Sequence, residues 1–146
     1  MFMGEYNHNL DAKNRLMLPS KLREGIGEGS FVLTRGLDNC LFLFPMEEWH
    51  IFEDKIKALS VTKKDARAFV RFIFSGAVND ILDKQGRLTI PENLKEYGKI
   101  DKEVVISGAL NRIEIWSKEV WSEYIKGAEE SFDDIVTGKQ IGRAHV

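Results

Sequence analysis

Apolar residues follow two rhythms along this chain. Short runs at residues 6–10 and 15–18 read as strands around a tight turn, and runs near Val32 and Val105 read as strands paired, through turns at residues 37–39 and 110–112, with the runs that follow. Past Pro45 the spacing widens to Met46, Trp49, Phe52, Ile56 and Leu59, a helical period. A second helix is predicted over residues 63–74, where Ala66, Phe69, Val70 and Ile73 form a stripe and Thr62 with Asp65 has capping-box spacing. Val120, Trp121, Tyr124, Ile125 and Ala128 predict a third helix, placed after Ser117 as the Met46 helix is after Pro45. Pro19 and Pro91 open two short helices that turn Leu22 and Leu94 inward and that Gly25 and Gly98 end.

The order β-β-α-β-β thus occurs twice, and the residues repeat with it. Asp11-Ala-Lys-Asn-Arg15-Leu-Met-Leu-Pro19-Ser-Lys-Leu22-Arg-Glu24 recurs 72 residues on as Asp83-Lys-Gln-Gly-Arg87-Leu-Thr-Ile-Pro91-Glu-Asn-Leu94-Lys-Glu96, with six of fourteen positions identical. Leu18 with Ile90 and Arg23 with Lys95 keep their chemistry. Residues 31–44 resemble residues 104–117 in apolar pattern and central turn, and Trp49 and Trp121 occupy matching places. Internal duplication is the economical reading. It predicts two half-domains about a pseudo-twofold axis, each burying its apolar face against the other, with functional residues in pairs.

At 146 residues the chain suits one compact domain or two joined halves, and a copy of about 70 residues alone has a thin core, so interlocking is expected. Its 21 Lys and Arg against 23 Asp and Glu give a formal charge of −2, so any surface for nucleic acid must be local. One cysteine, Cys40, excludes an internal disulfide, and no Cys/His spacing suggests zinc. Cys40 sits in a strand pattern as a small core residue, and no motif links it to His8, His50 or His145. Neither a signal peptide nor a membrane span is apparent, which makes the cytoplasm the expected compartment. Ile141-Gly-Arg-Ala-His-Val146 breaks with what precedes it and can be back-translated into a common sequencing-adapter sequence. It reads as a read-through artefact, and His145 is assigned no role.

The candidate chemistry lies in the two Asp-x-x-x-Arg turns. Asn14 and its counterpart Gly86 both tolerate positive φ, which predicts a tight turn carrying the following arginine at or near its tip. The guanidinium of Arg15 or Arg87 offers a planar fork suited to guanine or phosphate, and Lys13 and Lys84 add mobile charge for phosphate positioning. Asp11 and Asp83, four residues before each arginine, are placed to bond the turn's amides or to orient the guanidinium. The plainer alternative is a pair of surface ion pairs that merely stiffen two hairpins.

The duplicated frame Asp-x-x-(Asn/Gly)-Arg-Leu-x-(Leu/Ile)-Pro-x-x-Leu-(Arg/Lys)-Glu resembles the swapped-hairpin, AbrB-like class of bacterial DNA-binding proteins. With Met1-Phe-x-Gly4 and Arg67-x-x-x-Arg71-Phe-x-Phe-x-Gly-Ala77, the whole chain up to its acidic tail resembles the MraZ family. That resemblance implies an α+β fold in which two AbrB-like swapped-hairpin half-domains form a pseudo-twofold interlocked β-barrel with peripheral helices. It implies residues 1–76 as the first half with its following helices, 77–130 as the second with its C-terminal helix, and 131–146 as a mobile tail. It further implies a nucleoid-associated transcriptional regulator of the division and cell-wall gene cluster, binding promoter direct repeats of double-stranded DNA as a ring-like homo-oligomer. Arg15 and Arg87 then face DNA. No cofactor, metal or small-molecule substrate is implied. Asn14 departs from the family's usual glycine at the first turn, a change that a left-handed residue accommodates.

Two other classes compete. An enzyme could use Asp11 and Asp83 as twin carboxylates with His8 as base, but no nucleophile motif, phosphate loop or metal spacing accompanies them, and a carboxylate that holds a turn is not free for proton transfer. A protein-binding ring is the other. Phe72 and Phe74 widen the stripe that contains Phe69 beyond one helix face, which marks these three as an oligomer contact.

Overall fold

The computed structural model describes residues 1–138. They form, in order, β1 (Glu5–Asn9), β2 (Arg15–Met17), α1 (Ser20–Ile26), β3 (Phe31–Arg35), β4 (Leu41–Pro45), α2 (Met46–Lys57), α3 (Lys64–Ser75), β5 (Val78–Asp80), β6 (Arg87–Thr89), α4 (Glu92–Tyr97), β7 (Glu103–Gly108), β8 (Ile113–Ser117) and α5 (Lys118–Thr137). The sequence puts prolines where they can only begin helices: Pro19, Pro45 and Pro91 directly precede α1, α2 and α4 with φ between −56° and −63°. In the second copy Ser117 replaces Pro45, and its Oγ accepts from the Val120 N–H at 3.5 Å.

All sheet pairing is antiparallel. The larger sheet runs β1-β7-β8-β4-β3-β5, and β2 pairs with β6 in a separate two-stranded ribbon. Each copy thereby gives its first strand to the other copy. β1 lies on β7 with Tyr6 opposite Ile106, and β5 lies on β3 with Val78 opposite Leu33, the same register under the duplication. The pseudo-twofold axis passes where a residue meets its own counterpart 72 positions away: Leu16 with Leu88 in the ribbon, Phe42 with Glu114 in the larger sheet.

Alternation along the strands builds two cores. Leu33, Leu41, Leu43, Ile106, Ile113 and Ile115 face the ribbon and meet Leu16, Leu88, Leu22 and Leu94. Val32, Phe42, Phe44, Val105 and Trp116 face the opposite way, under Trp49, Ile56 and Ile73 of the outer helices. The fold is therefore three layers: ribbon with α1 and α4, six-stranded sheet, then α2, α3 and α5.

Several expectations change. No closed barrel forms among the described residues: β1 and β5 remain open edges because the ribbon covers one face of the sheet without pairing to its ends. α1 runs through Gly25 to Ile26 and stops at Gly27, φ 68°, since a glycine at Gly25 leaves room for the Phe2 ring, which a Cβ would approach to 2.4 Å. Thr62 does not cap α3; its Oγ1 lies 2.8 Å from Ser60 Oγ, and the N-cap position is Lys63. Val32 opposite Phe44 corresponds to Val105 opposite Trp116, so Phe44 matches Trp116 rather than Ser117. The turn between β7 and β8 is one residue shorter than that between β3 and β4, which the residue-for-residue alignment had hidden. Within the expected tail, residues 131–137 continue α5; residues 139–146 lie outside the described residues.

Because the two halves share both sheets, unfolding is expected to be a single transition. Leu88, 2% exposed at the axis, supplies the test. Leu88→Ala should lower stability by about 2–5 kcal/mol in urea titration, with tryptophan fluorescence and far-UV circular dichroism still coincident. Separate transitions for the two probes would show halves that fold independently.

Candidate nucleic-acid interface

The two Asp-x-x-x-Arg segments fold identically. Asp11 O accepts from Asn14 N–H at 3.0 Å, Asp11 N–H donates to Arg15 O at 3.0 Å, and Asn14 takes φ 59° between them. At the second turn, Asp83 O accepts from Gly86 N–H at 2.9 Å, Asp83 N–H donates to Arg87 O at 2.9 Å, and Gly86 takes φ 80°. Local chemistry dictates this shape: a short carboxylate bonds amides two and four residues on, and only a left-handed residue lets the chain re-enter the strand.

The carboxylate's two oxygens divide the work. Asp11 Oδ1 accepts from the backbone N–H of Lys13 and of Arg15, both at 2.9 Å, while Oδ2 accepts from Arg15 Nε at 2.7 Å. Asp83 Oδ1 accepts from Gln85 N–H at 2.9 Å and Arg87 N–H at 2.8 Å, and Oδ2 from Arg87 Nε at 2.8 Å. Each arginine is held by Nε, and its terminal nitrogens make no hydrogen bond among the described residues. The backbone N–H of the arginine, then its side chain, then the intervening amide hold each aspartate's carboxyl below its ordinary range.

Pairing register sets the display. Leu16 and Leu88 point inward, so Arg15 opposite Thr89 and Met17 opposite Arg87 share the outer face of the ribbon. The two arginines are diagonal neighbours, with Cα atoms about 7–8 Å apart. Lys13 and Lys84 are exposed at the turns.

The turns are also braced across the pseudo-twofold axis. Asn14 O accepts from Ile90 N–H at 2.8 Å, and Gly86 O accepts from Leu18 N–H at 3.1 Å. Side chains of the opposite copy's helix complete each brace, by different means. Lys95 Nζ donates to Asn14 Oδ1 at 3.0 Å, and Asn14 Nδ2 donates to Glu92 Oε2 at 3.2 Å. Arg23 instead lies against Gly86, where a Cβ would come within 2.5 Å of its Nε, and donates from Nη2 to Leu18 O at 3.0 Å. The Arg23 guanidinium occupies the space that a Cβ at residue 86 would take, whereas the Lys95 ammonium bonds the Asn14 side chain at the matching place. Sequence reasoning assigned Arg23 and Lys95 no role, although their kept chemistry was the available signal.

The remaining candidates lie elsewhere. Phe69 packs against the outer core; Phe72 stacks edgewise on Tyr97 at 5.3 Å and beneath the Arg35 guanidinium at 5.5 Å; Phe74, 38% exposed, rests against Trp49 at 5.3 Å. Cys40 is buried, and burial pushes its thiol far above the ordinary range. Among the described residues, no acidic, His or Cys cluster could hold a metal, and no helix is long and apolar enough to cross a membrane.

Comparison with known proteins agrees with the duplication. The family model described as "MraZ protein, putative antitoxin-like" matches twice, over residues 1–72 and 73–140. A protein of Clostridium tetani named transcriptional regulator MraZ is 61% identical over 124 residues, covering 85% of this chain and 87% of that one. Proteins of the same name from Desulforamulus reducens and Halothermothrix orenii are 55% and 53% identical, covering 92% and 96% of this chain and 94% and 97% of theirs.

The lowered carboxyls fix a sign for pH dependence. A group whose folded pKa lies below its unfolded value stabilises the fold fully above the ordinary aspartate range, and that contribution is lost as pH falls through the lowered value. Carbon-detected NMR titration should show Asp11 and Asp83 protonating below the ordinary aspartate value, with the amide signals of Arg15 and Arg87 moving in step. Titration at the ordinary aspartate value would mean that the turns are not held by their carboxylates.

Proposed function

The chain belongs to the MraZ family, and from that membership we propose that it is a transcriptional regulator, not an enzyme, that binds double-stranded DNA through the outer face of the β2–β6 ribbon. One observation carries the reading: two arginines, each fixed by an aspartate at Nε, are diagonal neighbours on the outer face of a two-stranded ribbon, with terminal nitrogens that make no hydrogen bond among the described residues. A major groove of about 12 Å admits such a ribbon, and a guanidinium can donate two bonds to guanine O6 and N7. Arg15 and Arg87 read base edges, while Lys13 and Lys84 position phosphates. Asp11, Asn14, Asp83 and Gly86 hold the turns, and Arg23 and Lys95 brace them.

The strand exchange between halves supports kinship with the AbrB-like, swapped-hairpin binders. The biological reading follows the family: a nucleoid-associated cytoplasmic regulator of the division and cell-wall gene cluster, acting on short promoter direct repeats as a ring-like homo-oligomer. Assembly answers the formal charge of −2, since several weak local patches engaging spaced sites together gain affinity that one patch lacks.

Fluorescence anisotropy with the duplex immediately upstream of the coding region, against a shuffled control at several salt concentrations, tests the reading. Preference for the natural duplex should grow relative to the control as salt rises. Arg15→Ala or Arg87→Ala should cost about 1–3 kcal/mol on the natural duplex and little on the control, whereas Lys13→Ala should weaken both and lower the log-log salt slope by about one. Equal binding to both duplexes at every salt concentration would rule out sequence reading.

A further inference from the structure

The outer helical layer breaks the pseudo-symmetry. α2 and α5 are counterparts, following Pro45 and Ser117, but α2 is followed by α3, whose Phe74 rests on Trp49, whereas no helix follows α5 among the described residues. α5 is also longer, 20 residues against 12, so at about 1.5 Å per residue it reaches roughly 12 Å farther. Its first turns pack on the sheet through Val120 and Trp121. Tyr124 still lies against Trp116, and no residue of α5 is buried. Phe132 is 64% exposed and Ile135 48%, and with Ile125 and Ala128 they make a stripe at helical spacing. Glu129 and Asp133 lie along one side of it.

A receptor of opposite character lies in the first half. Between the end of α2 and α3 runs an apolar groove of about 470 Å³, lined by Leu59, Val61, Val70 and Phe74 together with Arg67 and Arg71. Val61 is 73% exposed and Leu59 40%. Helix-in-groove recognition uses such an apolar stripe spaced over successive turns.

We propose that the C-terminal half of α5 docks in the α2–α3 groove of a second copy of this chain, its Phe132 and Ile135 on the groove floor and its Glu129 and Asp133 against Arg67 and Arg71. The contact is heterologous: each copy offers one tail and one groove, so repetition produces a closed ring when the rotation between copies divides the circle, and an open filament otherwise. It rests on the assembly reading above and names the surfaces that make the assembly. Of the three phenylalanines expected at a contact, only Phe74 lines the groove.

Sedimentation velocity on the full chain tests the contact. The wild-type chain should sediment as a multimer, and Phe132→Glu alone, or Val61→Glu with Arg71→Glu, should each reduce it to monomer. These positions are exposed, and thermal melts check that the variants fold. Glu129→Lys with Asp133→Lys gives a second tail variant with the same expectation. The decisive arm mixes the tail variant with the groove variant: one intact tail and one intact groove remain, so the mixture should form a 1:1 dimer and nothing larger. A tail variant that assembles like the wild type overturns this contact while leaving ring assembly standing. A mixture that stays monomeric at the highest concentration reached overturns it too, and a monomeric wild-type chain overturns both readings.

Discussion

Leu16 faces Leu88 across the ribbon, and because they are 72 residues apart, as the repeats are, this one pairing fixes where the pseudo-twofold axis runs. The rest follows from it. With the ribbon centred there, each copy's first strand can reach only the other copy's sheet, which is why β1 lies on β7 and β5 on β3. A half of about 70 residues has only a thin core of its own. Exchanged strands let two thin cores become one, with Leu16 and Leu88 sealed beneath the same surface that carries the arginines.

That arrangement also explains how exposed side chains can be pre-set. An arginine on a surface hairpin samples many rotamers, and ordering it opposes binding. Here the aspartate four residues earlier fixes Nε, the left-handed residue fixes the turn, and the opposite half fixes the turn's carbonyl. The rigidity of the two arginines is therefore a property of the interlock, and damage to either half loosens both hairpins.

Most of the local design could be read directly from the residues. Asp-x-x-x-Arg with Asn or Gly before the arginine is a short-range instruction, and prolines can only start helices, so turns and helix starts were legible. What escaped were relations between distant segments. Nothing near Tyr6 announces Ile106, nothing in the apolar run before Ser117 reveals a turn one residue short, and Gly25 reads as a helix stop until Phe2 is placed beside it. Of the site, the two arginines and their aspartates were visible; the pairing of Arg23 with Gly86 and of Lys95 with Asn14 was not, because it joins one copy's helix to the other copy's turn.

The two turns match in backbone and in arginine, but not in where their lysines stand. Lys13 is the third residue of its turn and donates its amide to Asp11, whereas Lys84 is the second residue of its turn and Gln85 makes the corresponding bond. Turning a duplex end for end about the axis exchanges Arg15 with Arg87 and returns the same guanidinium pair, but meets an ammonium displaced by one residue. The surface therefore has a head and a tail. On the proposed reading, a double helix laid on it has a distinguishable polarity, and a row of such surfaces suits a series of sites that all point the same way.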